Sequence, residues 1–270
     1  MTWNDVLLCS TAMAAGMINA VAGGGTLLTF PALYAALGPK FSALLGPERG
    51  IAEAGVVANA TSTMALWPGS LGSFWGYRHE FRLAGAWVWW LLIPCLLGGL
   101  IGVLLVIRFP SVFESLVPWL IFSAAMLFAL QPQIARLTGI GLPHAKPSKT
   151  RMAGILFFQL LVSIYGGYFG AGAGILMLAA LAMMGLPDIH VMNAVKTLYG
   201  TVINIMASIV FIVEGKVEWR LAAPMLIFGT IGGYVGARVA RRIDPARVRR
   251  GVVAIGFALA AYYFYKRFHG

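Results

Sequence analysis

The chain is poor in charge and poorest in acid. Charged residues are 11% of its 270, with 9 Asp and Glu against 20 Lys and Arg. A water-soluble fold of this length needs a far more polar surface, so that class is excluded. Cysteine is nearly absent: Cys9 and Cys95 stand in apolar runs, without metal-ligand spacing or enough partners for a disulfide framework. The four histidines, His79, His144, His190 and His269, form no ligand pattern. There is no Walker motif and no defensible Ser-His-Asp arrangement, which removes ATP-driven transport by this chain alone and the common hydrolases. No metal, no organic cofactor and no enzymatic activity are expected. No polar stretch is long enough to fold as a separate soluble domain.

What the chain has instead is 60% hydrophobic residues and a mean hydropathy of +0.83. The net charge of +11 would suit nucleic acid. Its placement points elsewhere, because the arginines sit in short loops beside apolar runs, the pattern of a cytoplasmic positive bias. No nucleic-acid partner is expected, and the lipid bilayer is. Met1-Thr2-Trp3-Asn4-Asp5 carries no basic leader region, so the first hydrophobic run is read as a mature membrane segment.

The chain also says nearly the same thing twice. Gly23-Gly24-Gly25-Thr26-Leu27-Leu28 is answered by Gly172-Ala173-Gly174-Ile175-Leu176-Met177, and Gly55-Val56-Val57-Ala58-Asn59 by Gly200-Thr201-Val202-Ile203-Asn204. Arg82-Leu83-Ala84 is answered by Arg220-Leu221-Ala222, and Gly98-Gly99-x-x-Gly102 by Gly232-Gly233-x-x-Gly236. Matched glycine-broken segments in a duplicated polytopic chain are the pattern of a secondary transporter. The fold class is therefore an all-α polytopic membrane protein with two homologous halves. Residues 1–130 form the first repeat, 131–151 a basic cytoplasmic linker, and 152–270 the second repeat.

Ten inserted segments are expected, near 5–22, 25–38, 49–67, 84–107 and 112–130, then 152–171, 174–187, 192–213, 219–238 and 250–265. A full crossing takes about 20 apolar residues. The segments at 25–38 and 174–187 fall short of that, follow glycine clusters and end near Pro39 and Pro187, so they read as half-helices starting inside the membrane. Three basic loops, at 76–82, 131–151 and 238–250, set the orientation. If all ten segments cross, these loops share one side and each half has five segments, which inverts the halves. If each glycine-broken pair is one re-entrant unit, the halves are parallel. The inverted arrangement is preferred, and Lys266, Arg267 and His269 fit it poorly.

Two constellations could carry chemistry. Gly23, Gly24 and Gly25, and Gly170 to Gly174 with Gly172 and Gly174, each precede a short apolar helix. Its first amides lack intrahelical partners and the helix dipole adds positive charge there. Two such N-termini brought together at mid-membrane would bind an anion. The competing reading is close packing by small residues. The second constellation is polar: Glu53, Asn59, Thr61, Ser62 and Thr63 in one segment, and Asn193, Lys196, Asn204 and Ser208 in its counterpart. Lys196 and Asn204 are eight residues apart and share a helical face. A lysine inside the bilayer costs about 2.5–3.5 kcal/mol on insertion scales, so it faces a cavity or a partner unless it snorkels. Glu53 is a candidate for proton coupling, with Arg49 nearby, and a structural ion pair is its equal alternative. Trp87, Trp89 and Trp90 read as an interfacial aromatic belt.

Gly16-x6-Gly23-Gly24-Gly25-x5-Pro31-x-Leu33 in the first half, and Asn193-x2-Lys196-x7-Asn204-x2-Ala207-x3-Phe211 in the second, are similar to the sulfite exporter TauE/SafE family, also called the toluene-sulfonate uptake permease family. The resemblance runs from about residue 5 to residue 265. In one place the chain departs from its own repeat: Ala180 stands where Pro31 sits in the first half. The resemblance implies a multi-pass bacterial inner-membrane protein that moves a small sulfur-containing or organic anion by alternating access. Coupling to protons and coupling to the membrane potential are both left open, as is a homodimer. A passive anion channel and a membrane-embedded enzyme remain the alternatives.

Overall fold

The computed structural model describes residues 3–21, 24–76, 88–138, 148–184, 186, 189–239 and 245–269. Gly23, Arg78, His79, Arg82, Trp87, His144, Pro187, Arg241 and Arg242 lie outside them. Ten helices and no strand occur among the described residues. They are α1 (Trp3–Val21), α2 (Thr26–Leu45), α3 (Pro47–Gly76), α4 (Val88–Arg108), α5 (Pro110–Leu137), α6 (Lys149–Tyr168), α7 (Ala173–Met183), α8 (Ile189–Val213), α9 (Trp219–Val239) and α10 (Pro245–His269). Each expected segment has its helix, in order. Within Trp89–Arg108, Pro110–Leu137, Lys149–Tyr168 and His190–Val213 the helix is long and apolar enough to cross a membrane. Shorter apolar stretches run over Asp5–Asn19 and Ala173–Met183.

The two glycine-led helices differ from each other. α7 is short, at 11 residues. α2 does not stop near Pro39 as expected. It runs 20 residues through Pro31 and Pro39 and ends at Gly46, whose φ is +83°. A proline removes one rung of the ladder and crowds the carbonyl four residues back, but leaves the other rungs intact. Nothing lies within 4 Å of where a Gly38 side chain would start, so the chain has room to adjust beside Pro39. The Tyr263 hydroxyl from α10 also donates to the Pro31 carbonyl, at 3.4 Å. α5 reaches Leu137, seven residues beyond its expected end, which shortens the linker between the halves.

Packing follows the repeat. α1 lies on α9, and α4 lies on α6. Each half thus lends its fourth helix to the first helix of the other. The other contacts also come in matched pairs: α3 with α9 and α8 with α4 between the halves, then α2 with α3 and α7 with α8, and α1 with α2 and α6 with α7, within them. α3 meets its own counterpart α8, and α5 meets α10.

The duplicated glycine motifs explain the closest of these contacts. A Cβ on Gly102 would overlap the Ile164 carbonyl oxygen, and one on Gly167 the Gly99 carbonyl oxygen. In the counterpart pair, a Cβ on Gly232 would overlap the Met13 carbonyl oxygen, and one on Gly16 the Gly229 carbonyl oxygen. Only glycine permits backbones this near. Met13 sits by Gly232 and Met17 by Gly236, so α1 and α9 run parallel; Gly98 by Leu160 and Gly102 by Ile164 make α4 and α6 parallel too. α5 and α10 are antiparallel. Their contacts pair Ser115 with Arg267, Trp119 with Phe264, Phe122 with Phe257 and Ala125 with Gly256.

Two apolar cores result. One contains Phe30, Phe113, Ile121 and Phe128 and is built mainly on α2, α3 and α5. The other joins Leu91, Val162, Leu181, Tyr199 and Ile203 across α4, α6, α7 and α8.

Candidate functional site

Between these cores lies a cavity of about 430 Å³. Both glycine-rich breaks open onto it. Its wall takes Gly24 and Thr26 from the start of α2, residues 169–172 from the α6–α7 turn, and Gly174 from α7. α3 contributes Asn59 and Thr63, and α8 contributes Asn193, Lys196, Thr197, Thr201 and Asn204.

The second break has the more defined geometry. Gly170 and Gly172 both have φ of +83°, a conformation that side chains disfavour. The Ala173 and Ile175 amides donate to the Gly170 and Gly172 carbonyls at 3.2 and 3.0 Å. The turn is braced from outside by the Tyr165 hydroxyl, which donates to the Ala171 carbonyl at 2.7 Å. Asn59 Nδ2 donates to the Tyr168 carbonyl at 3.1 Å and ties α3 to the end of α6. At the first break the Gly24 amide donates to Asn19 Oδ1 at 3.2 Å. Gly24 is pressed on the Phe128 ring, and Gly25 on the Ala15 carbonyl.

Lys196 gives the cavity its charge. Among the described residues that line it, it is the one ionisable residue. Its Nζ donates to Asn193 Oδ1 at 3.0 Å, one turn earlier on α8. Among the described residues no carboxylate pairs with it; the ion pairs there are Lys40 with Glu218 and Lys216 with Glu53. A side chain on Gly174 would begin 3.3 Å from Lys196 Cδ, so the glycine gives the lysine stem its groove. Lys196 is half-buried, and a partly desolvated cation without a carboxylate partner is unfavourable unless an anion joins it. The neutral donors around it suit an oxyanion, because they add hydrogen bonds without making release too hard.

Of the residues singled out from sequence, Gly24, Asn59, Gly172, Gly174, Lys196 and Asn204 line this one cavity. Gly25, Thr61, Ser62, Glu53 and Arg49 are not on its wall. Ser62 Oγ is 2.6 Å from Thr29 Oγ1, a hydrogen bond between α3 and α2. Thr61 Oγ1 accepts the Glu218 amide at 3.1 Å. Glu53 pairs with Lys216 at 2.5 Å, both side chains about a quarter exposed. Arg49 is exposed. Glu53 and Thr61 therefore hold residues 216–218, the strap between α8 and α9, against α3. Glu53→Gln is expected to lower stability by about 1 kcal/mol, the scale of a partly solvated ion pair, and to leave anion binding intact. Thermal melting and ligand binding on the same sample check both.

Several lining residues escaped the sequence reading, among them Asn19, Thr26, Gln131, Thr197 and Thr201. A signal existed for those on α8. Asn193, Lys196, Thr197, Gly200 and Asn204 recur at helical spacing and form a small and polar stripe on an otherwise apolar helix. Gln131 had been read into the linker because Pro132 follows it.

Comparison with known proteins agrees with this architecture. A family model described as Sulfite exporter TauE/SafE matches residues 8–263. A "Probable membrane transporter protein" of Haemophilus influenzae is 26% identical over 262 residues, covering 95% of this chain and 92% of the relative. The "Probable membrane transporter protein YfcA" of Escherichia coli K12 is 27% identical over 267 residues, covering 96% and 89%. A "Probable membrane transporter protein ORF9" of a Sinorhizobium species is 26% identical over 252 residues, covering 92% and 88%. No solved structure gives a significant match.

Proposed function

From the premise that this chain belongs to the sulfite exporter TauE/SafE family, we propose that it is a secondary transporter of a small sulfur oxyanion or organosulfonate, working by alternating access in the bacterial inner membrane. Membership and relatives make it a multi-pass membrane transporter. The cargo and the mechanism are our reading.

One observation carries it: among the described residues Lys196 is a cation without a carboxylate partner, on the wall of a cavity otherwise lined by uncharged groups. Such a site favours an anion over a cation or a neutral solute. The volume of about 430 Å³ is many times the roughly 30 Å³ share of a water molecule, which leaves room for a sulfonate with a short carbon chain as well as for sulfite. Leu66, Ile175, Met177 and Leu178 on the same wall would take the apolar part. Gly172 and Gly174 offer backbone amides to the oxygens, the use of helix starts expected for anions. The antiparallel crossing of α5 with its counterpart α10 supports inverted halves, the arrangement that lets one fold open to either side. No carboxylate lines the cavity among the described residues, so coupled protons would in this scheme travel on the cargo or on Lys196.

Sulfite flux into proteoliposomes holding the purified protein tests the reading, with thiosulfate, an alkanesulfonate and chloride as competitors. The expected result is saturable flux that sulfur anions compete away and chloride does not. Flux that rises without saturation would make the protein a channel. Absence of flux with every sulfur anion would overturn the proposed cargo.

A further inference from the structure

Alternating access needs two bodies that move about the cargo, and the repeat suggests the two sequence halves. The packing divides the molecule differently. We infer, resting on the transport reading above, that the moving bodies are two mixed four-helix bundles: α1, α2, α3 and α9 in one, and α4, α6, α7 and α8 in the other.

Two observations carry this division, and two more describe where it falls. First, the tightest interfaces join helices from different halves. α1 with α9 and α4 with α6 meet backbone to backbone through glycines. Parting them would open grooves that no side chain can fill, so each pair moves as a unit. Second, one of the two cores belongs wholly to a single mixed bundle, from Leu91 and Cys95 on α4 to Tyr199 and Ile203 on α8. Third, the cavity lies on the divide. Apart from Gln131 of α5, its wall comes from α1, α2, α3 and α9 on one side and from α6, α7, α8 and the α6–α7 turn on the other. The sequence halves would part the same lining with only Gly233 changing sides, so the cavity fits this division without selecting it. Fourth, the strap where the chain passes from one bundle to the other is tied to both of them. Lys216 and Glu218 are held by Glu53, Lys40 and Thr61 of the first bundle. Just before them Gly215, with φ of +64°, caps α8: its amide donates to the Ile212 carbonyl at 3.1 Å and the Lys216 amide to the Phe211 carbonyl at 2.8 Å.

The contacts that must slide or break on opening are named by the same division, and the largest is the packing of α3 on α8. Asn59 Nδ2 to the Tyr168 carbonyl crosses it at 3.1 Å. Phe30 crosses it edge-on to Phe169, with ring centres 5.4 Å apart. Ala171, Ile175, Ala207 and Phe211 of the second bundle also pack into the first core. These are side-chain contacts, which can re-form in another register.

Two experiments decide between mixed bundles and sequence halves. In a Cys9→Ala chain, Gln159→Cys faces the native Cys95 across α4 and α6, where Gln159 Nε2 is 3.2 Å from Cys95 Sγ. In a chain with Cys9→Ala and Cys95→Ala, Phe30→Cys and Phe169→Cys face each other across the proposed divide. Each is treated with a short bifunctional thiol reagent whose link a reductant can cleave. Sulfite flux is compared with that of the same sample after reduction, so a folding defect is not mistaken for a block. Linking α4 to α6 is expected to leave flux unchanged, and linking Phe30→Cys to Phe169→Cys to stop it until reduction. A block by the first link, or flux through the second, overturns the proposal. Spin labels at the exposed Leu7, Trp90, Leu161 and Tyr234 give a readout that needs no flux. On adding sulfite, the Leu7–Tyr234 and Trp90–Leu161 distances should hold while Leu7–Leu161 changes. A change in either of the first two, or none in the third, overturns the proposal. Absence of sulfur-anion flux in the unmodified protein would instead remove the transport reading, and this inference with it.

Discussion

Lys196→Met is expected to abolish measurable sulfite binding while leaving the protein inserted and folded. The substitution keeps the unbranched stem, which lies along Gly174 with Cδ 3.3 Å from where a side chain on that glycine would begin, and removes the ammonium. Truncating one member of a buried charge pair costs about 2–5 kcal/mol, which is roughly thirty-fold to more than a thousand-fold in affinity. The empty protein gains in the same stroke, because a half-buried cation held, among the described residues, only by the neutral Asn193 side chain is unfavourable. Its melting temperature should therefore hold or rise. Titration calorimetry with sulfite, beside a thermal melt, separates the two effects. Binding at the parent level would move the anion site away from this cavity. Binding lost together with stability would make Lys196 a structural residue.

The second large effect falls on assembly. Gly167→Val would place a branched side chain where α6 meets the Gly99 carbonyl on α4. The obstacle is backbone on both sides, so no rotamer relieves it. We expect destabilisation of about 3 kcal/mol or more, at or beyond the upper end of overpacking, with aggregation in detergent. Gly154→Ala on the same helix is the control. Nothing lies within 4 Å of the added carbon there, and alanine favours a helix over glycine by about 0.8–1.0 kcal/mol. A well-behaved Gly167→Val protein would mean that α4 and α6 can part, and would count against the mixed bundles as well.

The contrast between those two glycines shows what the sequence could convey. Gly98-Gly99-x-x-Gly102 and its twin were legible as close-packing motifs because spacing alone puts small residues on one helical face. The ten segments were legible because apolar runs of fixed length have few other uses. Lys196 and Asn204 were legible as sharing a face for the same periodic reason. Where the outcome depended on tertiary partners, the pattern fell silent. α2 was expected to end near Pro39, yet it continues, because a proline costs one rung of the ladder and the space beside Gly38 accommodates the bend. Thr61 and Ser62 stand beside Asn59 in sequence, and a helix turns about 100° per residue, so the three cannot all face one cavity. Which of them does was set by α2 and by the strap at residues 216–218, neither of which spacing on α3 can report. Glu53 had two equal readings, a coupling group or an ion pair. Its partner Lys216 lies 163 residues away, beyond the reach of any local pattern.

The lone ammonium at the centre also decides how membrane voltage acts on the cycle proposed above. Holding a monoanion, the site is neutral and its passage across the bilayer does not feel the potential. Empty, it carries one positive charge, and moving that charge through the full field is worth about 2.3 kcal/mol per 100 mV. An inside-negative membrane therefore draws the unloaded carrier to face the cytoplasm, where the next anion it meets is an internal one. Voltage alone tilts such a carrier toward export, with no acidic residue and no second ion required.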